Sequence, residues 1–199
     1  VKVCLVHLES LLEELDSGEE AFVGRNPGAF LVAAGLAERD SAAQPPAGGD
    51  EAAALVIEPT KGRRDVTRKR LDFTTVVRVA KPRPGLGQPH PLLGTAFHLE
   101  PDEEQPHVVV GRSASCDITV PDRSVSEEHC RILVTARGVV VVDMGSTNGT
   151  TVNGTRLEPY RAEVLADEDL LGVGSYVFQL LSSPSLFAGL MEARQAMEG

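Results

Sequence analysis

Residues 143–154 read DMGSTNGTTVNG, and the Val-rich run GVVVVDM leads directly into them. Glycines at 145 and 149 let the backbone turn tightly with positive φ, so STNGT at 146–150 reads as a hairpin turn between two strands. Working outward, the same style of punctuation governs residues 92–182. Short alternating or Val-rich runs (TAFHLE, HVVVGR, DITV, RILVTA, GVVVVDM, GTTVN, AEVL, LLGVGSYVFQLL) are separated by Gly, Asn, Asp or Pro. Runs of this length at this spacing are the pattern of an antiparallel sandwich or barrel. The fold class expected is therefore mainly β, an antiparallel β-sandwich with an N-terminal helical segment and a short C-terminal helix.

The flanks divide the remainder. Leu5, Leu8, Leu12 and Leu15 recur at helical spacing, so the first sixteen residues read as an amphipathic helix, and Ser17 with Glu20 reads as a capping box opening a second. FLVA at 30–33 reads as a short strand. The simplest partner for the apolar stripe is the chain's own main domain. These features place an N-terminal helical element at 1–39. The run DSAAQPPAGGD is too poor in apolar side chains to hold a fold and places a flexible linker at 40–53. A basic segment with β-prone runs follows at 54–91, the sandwich at 92–182, and a C-terminal helix at 183–199, where SLFAGLMEARQAME has helical spacing.

Charge and composition narrow the function. A formal charge of -10, aromatics at 4% and no Trp argue against nucleic-acid binding, which wants a basic face and stacking rings. Three cysteines, at 4, 116 and 130, with no Cys-x-x-Cys spacing, support neither a disulfide framework nor a zinc knuckle and point to the reducing cytosol. No apolar run reaches membrane-spanning length, and the first residues lack the order of a secretory leader. His98 and His107 flank the acidic run PDEEQ, but no third ligand stands at a metal-binding spacing. No metal and no cofactor are expected. Ser126 and His129 have a Ser-x-x-His spacing without an acid to orient the imidazole or a nucleophile elbow, so no enzyme is expected.

Three loops concentrate the polar chemistry: GRSASCD at 111–117, SVSEEHC at 124–130 and the turn at 143–154. In their order and separation, Gly111-Arg112, Ser126-Glu127-Glu128-His129, Asp143, Ser146-Thr147-Asn148-Gly149-Thr150 and Asn153-Gly154 resemble the signature of the forkhead-associated domain. The run from Asp169 through Leu171, Gly172 and Gly174 is similar to that family's closing strands. The resemblance covers about the last hundred residues and says nothing of the first ninety. It implies a sandwich whose loops at one end grip a phosphothreonine peptide. Arg112, Ser126 and Thr147 would bind the phosphate, and Asn148, with Glu127 and Ser146 beside it, the peptide. Gly111, His129, Gly149 and Asn153 would shape the loops.

The chemistry suits those residues independently. A phosphothreonine carries about -1.5 to -2 charges and three strong acceptors, which call for a planar, permanently charged fork plus neutral donors. An Asn amide can donate to and accept from an extended backbone. The departure is Glu127-Glu128, an acidic pair beside an anion site, which would weaken affinity or select basic residues in the ligand.

Taken together, these features lead us to expect a cytoplasmic signalling adaptor that binds a phosphothreonine-containing protein downstream of a Ser/Thr protein kinase. The competing reading is a phospho-independent interaction or assembly module on the same sandwich. Upstream, nine basic residues lie between Lys61 and Arg83 against Asp65 and Asp72, while residues 92–182 hold six arginines and fourteen acids. The basic run could complement that acidic surface, contact nucleic acid or act as a tether; the first is the most economical. Behind it, Thr74 and Thr75 in DFTTVV resemble the kinase-target segments preceding some bacterial members of the family, and are candidate phosphosites. The plain alternative is that FTTVVRVA is a strand.

Overall fold

The computed structural model describes residues 1–36, 92–100, 102, 107–135 and 138–198. The expected linker, the basic segment and Thr74 and Thr75 lie outside the described residues.

Two sheets pack face to face. The smaller has the order β10 (Ala162–Leu165), β7 (Gly138–Asp143), β6 (Cys130–Thr135), β4 (His107–Gly111) and β5 (Ile118–Thr119). Its β4–β5 pair is parallel and its other pairs antiparallel. Alternation is plain in β7, where Val139, Val141 and Asp143 are buried and their neighbours are less so. The larger sheet runs β1 (Lys2–His7), β3 (Thr95–Glu100), β2 (Ala29–Leu36), β12 (Tyr176–Ser182), β11 (Leu170–Val173), β8 (Thr150–Val152) and β9 (Thr155–Arg156). Between the sheets lie Val108, Val110, Ile132, Val141, Leu171, Val173 and Phe178, a core built mainly of aliphatic side chains.

A third layer covers the outer face of the larger sheet. It consists of α1 (Leu8–Glu14), a single 3-10 turn (Leu15–Ser17), α2 (Glu19–Arg25) and the C-terminal helix α3 (Ser183–Glu198). Strand β2 explains how two cores coexist. Leu31 and Ala33 face the sandwich interior, whereas Phe30 and Val32 join Leu8, Leu11, Phe22, Leu186 and Leu190 under the helices. Phe22 meets Phe187 with ring centroids 5.4 Å apart, and Arg194 pairs with Asp16 at 2.6 Å. The apolar stripe at the N-terminus thus has its own domain as partner.

Two local expectations are corrected. The first sixteen residues are not one helix: Lys2–His7 pair antiparallel with β3, from Lys2↔Glu100 to His7↔Thr95, and helix begins only at Leu8. The helical spacing of Leu5 is incidental, since Leu5 is 54% exposed on the edge strand while Leu8, Leu11 and Leu15 are buried. Ser17 does not cap α2 either. Its hydroxyl donates back to the Glu14 carbonyl at 2.6 Å, and Gly18, at φ +83°, starts the helix without a side-chain cap. FLVA is indeed strand, and its position is consequential: β2 sits inside the sheet, between β3 and β12. Strands β1 and β2 therefore belong to the larger sheet, and residues 1–36 are not a purely helical element.

Phe30 is fully buried on that central strand. Phe30→Ala is expected to lower stability by about 3–5 kcal/mol in urea denaturation of the full chain. A loss under about 1 kcal/mol would mean that β2 is not an integral strand.

Candidate functional site

Strand β4 ends at Gly111, where the chain passes against the next loop. A Cβ on Gly111 would stand 2.1 Å from the Glu127 carbonyl oxygen, so only glycine allows the approach. Two backbone bonds then join the loops: Arg112 N–H donates to Ser126 O at 2.8 Å and Ser113 N–H to Glu127 O at 3.2 Å. Arg112 Nε donates to Val125 O at 3.1 Å, which holds the root of the guanidinium. Its nearest acid is Glu127, with Nη2 to Oε1 at 3.9 Å and the two side chains 45% and 81% exposed. A pair that open contributes little and separates readily.

The second and third loops are tied by His129, which is buried completely. Its Nδ1 accepts the Ser126 N–H at 3.1 Å, so the ring proton resides on Nε2, which donates to Gly149 O at 3.1 Å. Burial pushes its pKa below the usual imidazole value, against the opposing pulls of the Gly149 carbonyl and Asp143. One neutral imidazole thereby fixes two loops. Ser126 Oγ in turn accepts the Thr147 N–H at 3.1 Å and lies 3.5 Å from Thr147 Oγ1. Because the imidazole faces the Ser126 amide and not its hydroxyl, it is not a base for that hydroxyl.

The 145–149 turn has an anchor that sequence reasoning named without a role. Asp143 is buried and accepts the Ser146 hydroxyl at 2.5 Å, the Thr150 hydroxyl at 2.6 Å, and the Gly145 and Ser146 N–H groups at 3.0 and 3.1 Å. Burial alone would raise its carboxyl pKa; the hydrogen bonds prevail and hold it below the usual range. The Ser146 hydroxyl is thus spent inside the turn rather than turned toward a peptide. Asn148 Nδ2 donates to Ser124 O at 2.6 Å, and its Oδ1 has no partner among the described residues. Ser124 was missed altogether. It is buried, its Oγ accepts the Ser175 N–H at 2.8 Å, and its only sequence mark was a serine in a polar loop.

Arg112, Ser126, Thr147 and Asn148 are therefore brought to one surface by Gly111, His129 and Asp143. Glu127 borders Arg112, whereas Glu128 turns to Arg131 at 3.4 Å. Asn153 stands apart: its Nδ2 donates to Asp169 at 2.9 Å and its Oδ1 accepts the Leu170 N–H at 3.0 Å, shaping the β8–β9 hairpin. Cys116 and Cys130 are buried, and burial raises both thiols. Among the described residues no group of three or more His, Cys, Asp or Glu could hold a metal ion, and no helix is long and apolar enough to cross a membrane. A cavity of about 440 Å³ lies between the β8–β9 hairpin and β10, and none of Arg112, Ser126 or Thr147 lines it.

A sandwich carrying loops of this kind defines a class. Residues 108–174 match the family model of the FHA domain, and the chain carries an FHA domain in its C-terminal half. The chain is 34% identical over 95 residues to the oxoglutarate dehydrogenase inhibitor of Corynebacterium glutamicum, a stretch of 48% of this chain and 62% of that protein. It is 35% identical over 94 residues to the glycogen accumulation regulator GarA of Mycolicibacterium smegmatis, covering 47% and 55%. The chain thus spans less than two thirds of the length of either relative. Among solved structures, the FHA domain of the CT664 protein from Chlamydia trachomatis is 28% identical with a TM-score of 0.41, covering 45% of this chain and 86% of that one.

The His129 bridge makes a pH prediction. The fold refuses a proton that the unfolded chain binds near pH 6.5. Stability from this group is therefore fully present above about 6.5 and is lost as pH falls from there through the lower folded value, at no more than about 1.4 kcal/mol per pH unit. Urea midpoints between neutral pH and pH 5 check this. The wild-type slope should shrink in His129→Gln, and an unchanged slope would remove His129 as its source.

Proposed function

We propose that this surface is a phosphothreonine-peptide receptor and that the protein is a non-enzymatic signalling adaptor acting downstream of a Ser/Thr protein kinase. The observation that carries the reading is Arg112: its Nε is rooted on Val125 O, its backbone N–H is bonded to Ser126 O, and its guanidinium is open to solvent with only the exposed Glu127 as counterion. Arg112 supplies charge and a donor fork, and Ser126 and Thr147 supply neutral donors for the remaining phosphate oxygens. Asn148, with one N–H held by Ser124 and its carbonyl open, engages the peptide main chain. The Glu127 carboxylate swings from Arg112 when the dianion arrives, an exchange between exposed partners. Glu128 is kept off the site by Arg131.

Several further points support a regulatory role. The similar proteins from Corynebacterium and Mycolicibacterium are named an inhibitor and a regulator. Ser126 has no base at its hydroxyl, which suits binding and not acyl transfer. Cys4, Cys116 and Cys130 are all free thiols, as a cytosolic location requires. We further propose Thr74 or Thr75 as a phosphosite through which the kinase acts on the chain itself; absence of phosphate at both after kinase treatment would end that part.

Titration of the full chain with one threonine peptide, phosphorylated and unphosphorylated, tests the reading. Binding should require the phosphate and fall at least about tenfold in Arg112→Ala, since a hydrogen bond to a charged group contributes about 1.5–3 kcal/mol. Equal affinity for both peptides would favour the phospho-independent assembly module instead.

A further inference from the structure

Three successive residues of one loop hold both sides of the binding surface. Ser124 O accepts Asn148 Nδ2 at 2.6 Å, Val125 O accepts Arg112 Nε at 3.1 Å, and Ser126 Oγ accepts the Thr147 N–H at 3.1 Å. Ser124 and Val125 are buried, so the two carbonyls stand wherever the packed loop backbone stands. A carbonyl oxygen can only accept a hydrogen bond. Ser124 O therefore fixes which branch of the Asn148 amide faces it, Nδ2, and leaves Oδ1 as the branch offered elsewhere.

Ser124 is held in turn from outside the three polar loops. Its N–H donates to Asp122 Oδ1 at 2.7 Å, a local Asx turn, but its Oγ accepts the Ser175 N–H at 2.8 Å, 51 residues further along the chain. Ser175 and Gly174 form the turn between β11 and β12, whose flanking residues Val173 and Tyr176 are buried in the sandwich core. Gly174 has φ +61°, and a Cβ there would stand 2.6 Å from both Ser124 O and Ser124 Oγ and 2.8 Å from the Ser124 carbonyl carbon. Only glycine lets the turn sit this close. The atom it sits against, Ser124 O, is the one that orients Asn148.

We infer that Gly174 and Ser124 are positioning residues for Asn148: the β11–β12 turn fixes the Ser124 carbonyl, and that carbonyl sets the orientation in which the Asn148 amide meets the peptide main chain. This rests on the phosphothreonine reading and adds to it a determinant, Gly174, that belongs to none of the ligand-facing loops. Arg112 depends on the neighbouring carbonyl, Val125 O, but is tied a second time by its backbone bond to Ser126 O. Displacing Ser124 therefore acts on main-chain recognition through Asn148 before it acts on phosphate recognition through Arg112.

The experiment measures the affinity of the full chain for one phosphothreonine peptide and for free phosphothreonine. Gly174→Ala drives a Cβ into the Ser124 carbonyl and should weaken peptide binding about five- to tenfold, the upper range for one hydrogen bond. Ser124→Ala only releases that carbonyl from the turn and should weaken it about threefold. Free phosphothreonine, which lacks the flanking main chain, should change less than about twofold in either variant. In an Asn148→Ala background neither substitution should weaken the peptide further by more than about 1.5-fold, since both act through Asn148. Ser124→Ala decides the matter if Gly174→Ala does not fold, which its thermal unfolding curve shows. Unchanged peptide affinity, a loss shared by free phosphothreonine, or an equal loss with and without Asn148 overturns the positioning role while phosphate-dependent binding stands. Peptide binding that does not require the phosphate overturns the underlying reading together with this one.

Discussion

A proton on one ring nitrogen organises this surface. His129 can accept the Ser126 amide and donate to Gly149 only as the neutral Nε2–H tautomer, and complete burial keeps it neutral. The two loops it joins carry Ser126 on one side and Thr147 and Asn148 on the other. Arg112 is attached to the same unit by its own backbone bond to Ser126. Arg112, Ser126, Thr147 and Asn148 are thereby held on one surface by bonds within the chain itself.

The surrounding fold supplies rigidity in layers. Asp143, last residue of β7, gathers four hydrogen bonds from the turn that follows, so the turn inherits the position of a strand. That strand is held by β6 and by the aliphatic core between the sheets. The larger sheet is backed by helices from both ends of the described chain, joined through Phe22, Phe187 and the Arg194–Asp16 pair. The N-terminal residues contribute a central strand even though the family match begins at 108.

Much of the site was legible in sequence because its determinants are local. The turn glycines at 145 and 149 follow from the conformations that the loop must adopt, whereas Arg112, Ser126, Thr147 and Asn148 stood out through the resemblance of their spaced motifs to the forkhead-associated family. What was not legible depends on partners distant in the chain. Lys2–His7 become strand only because β3 offers an edge, and nothing nearby in sequence distinguishes Leu5 from the helical leucines after it. Ser146 looked like a ligand residue until the buried carboxylate three positions earlier was seen to claim it.

The central claim is that the loops form a ready-made anion receptor around Arg112. It is tested most directly by an amide chemical-shift map of the full chain as phosphothreonine peptide is added. The account predicts shifts concentrated at Arg112, Ser126, Thr147 and Asn148, with the buried frame at His129, Asp143 and Thr150 nearly still. Shifts centred on the opposite end of the sandwich, or a wholesale rearrangement of the 145–149 turn on binding, would contradict it.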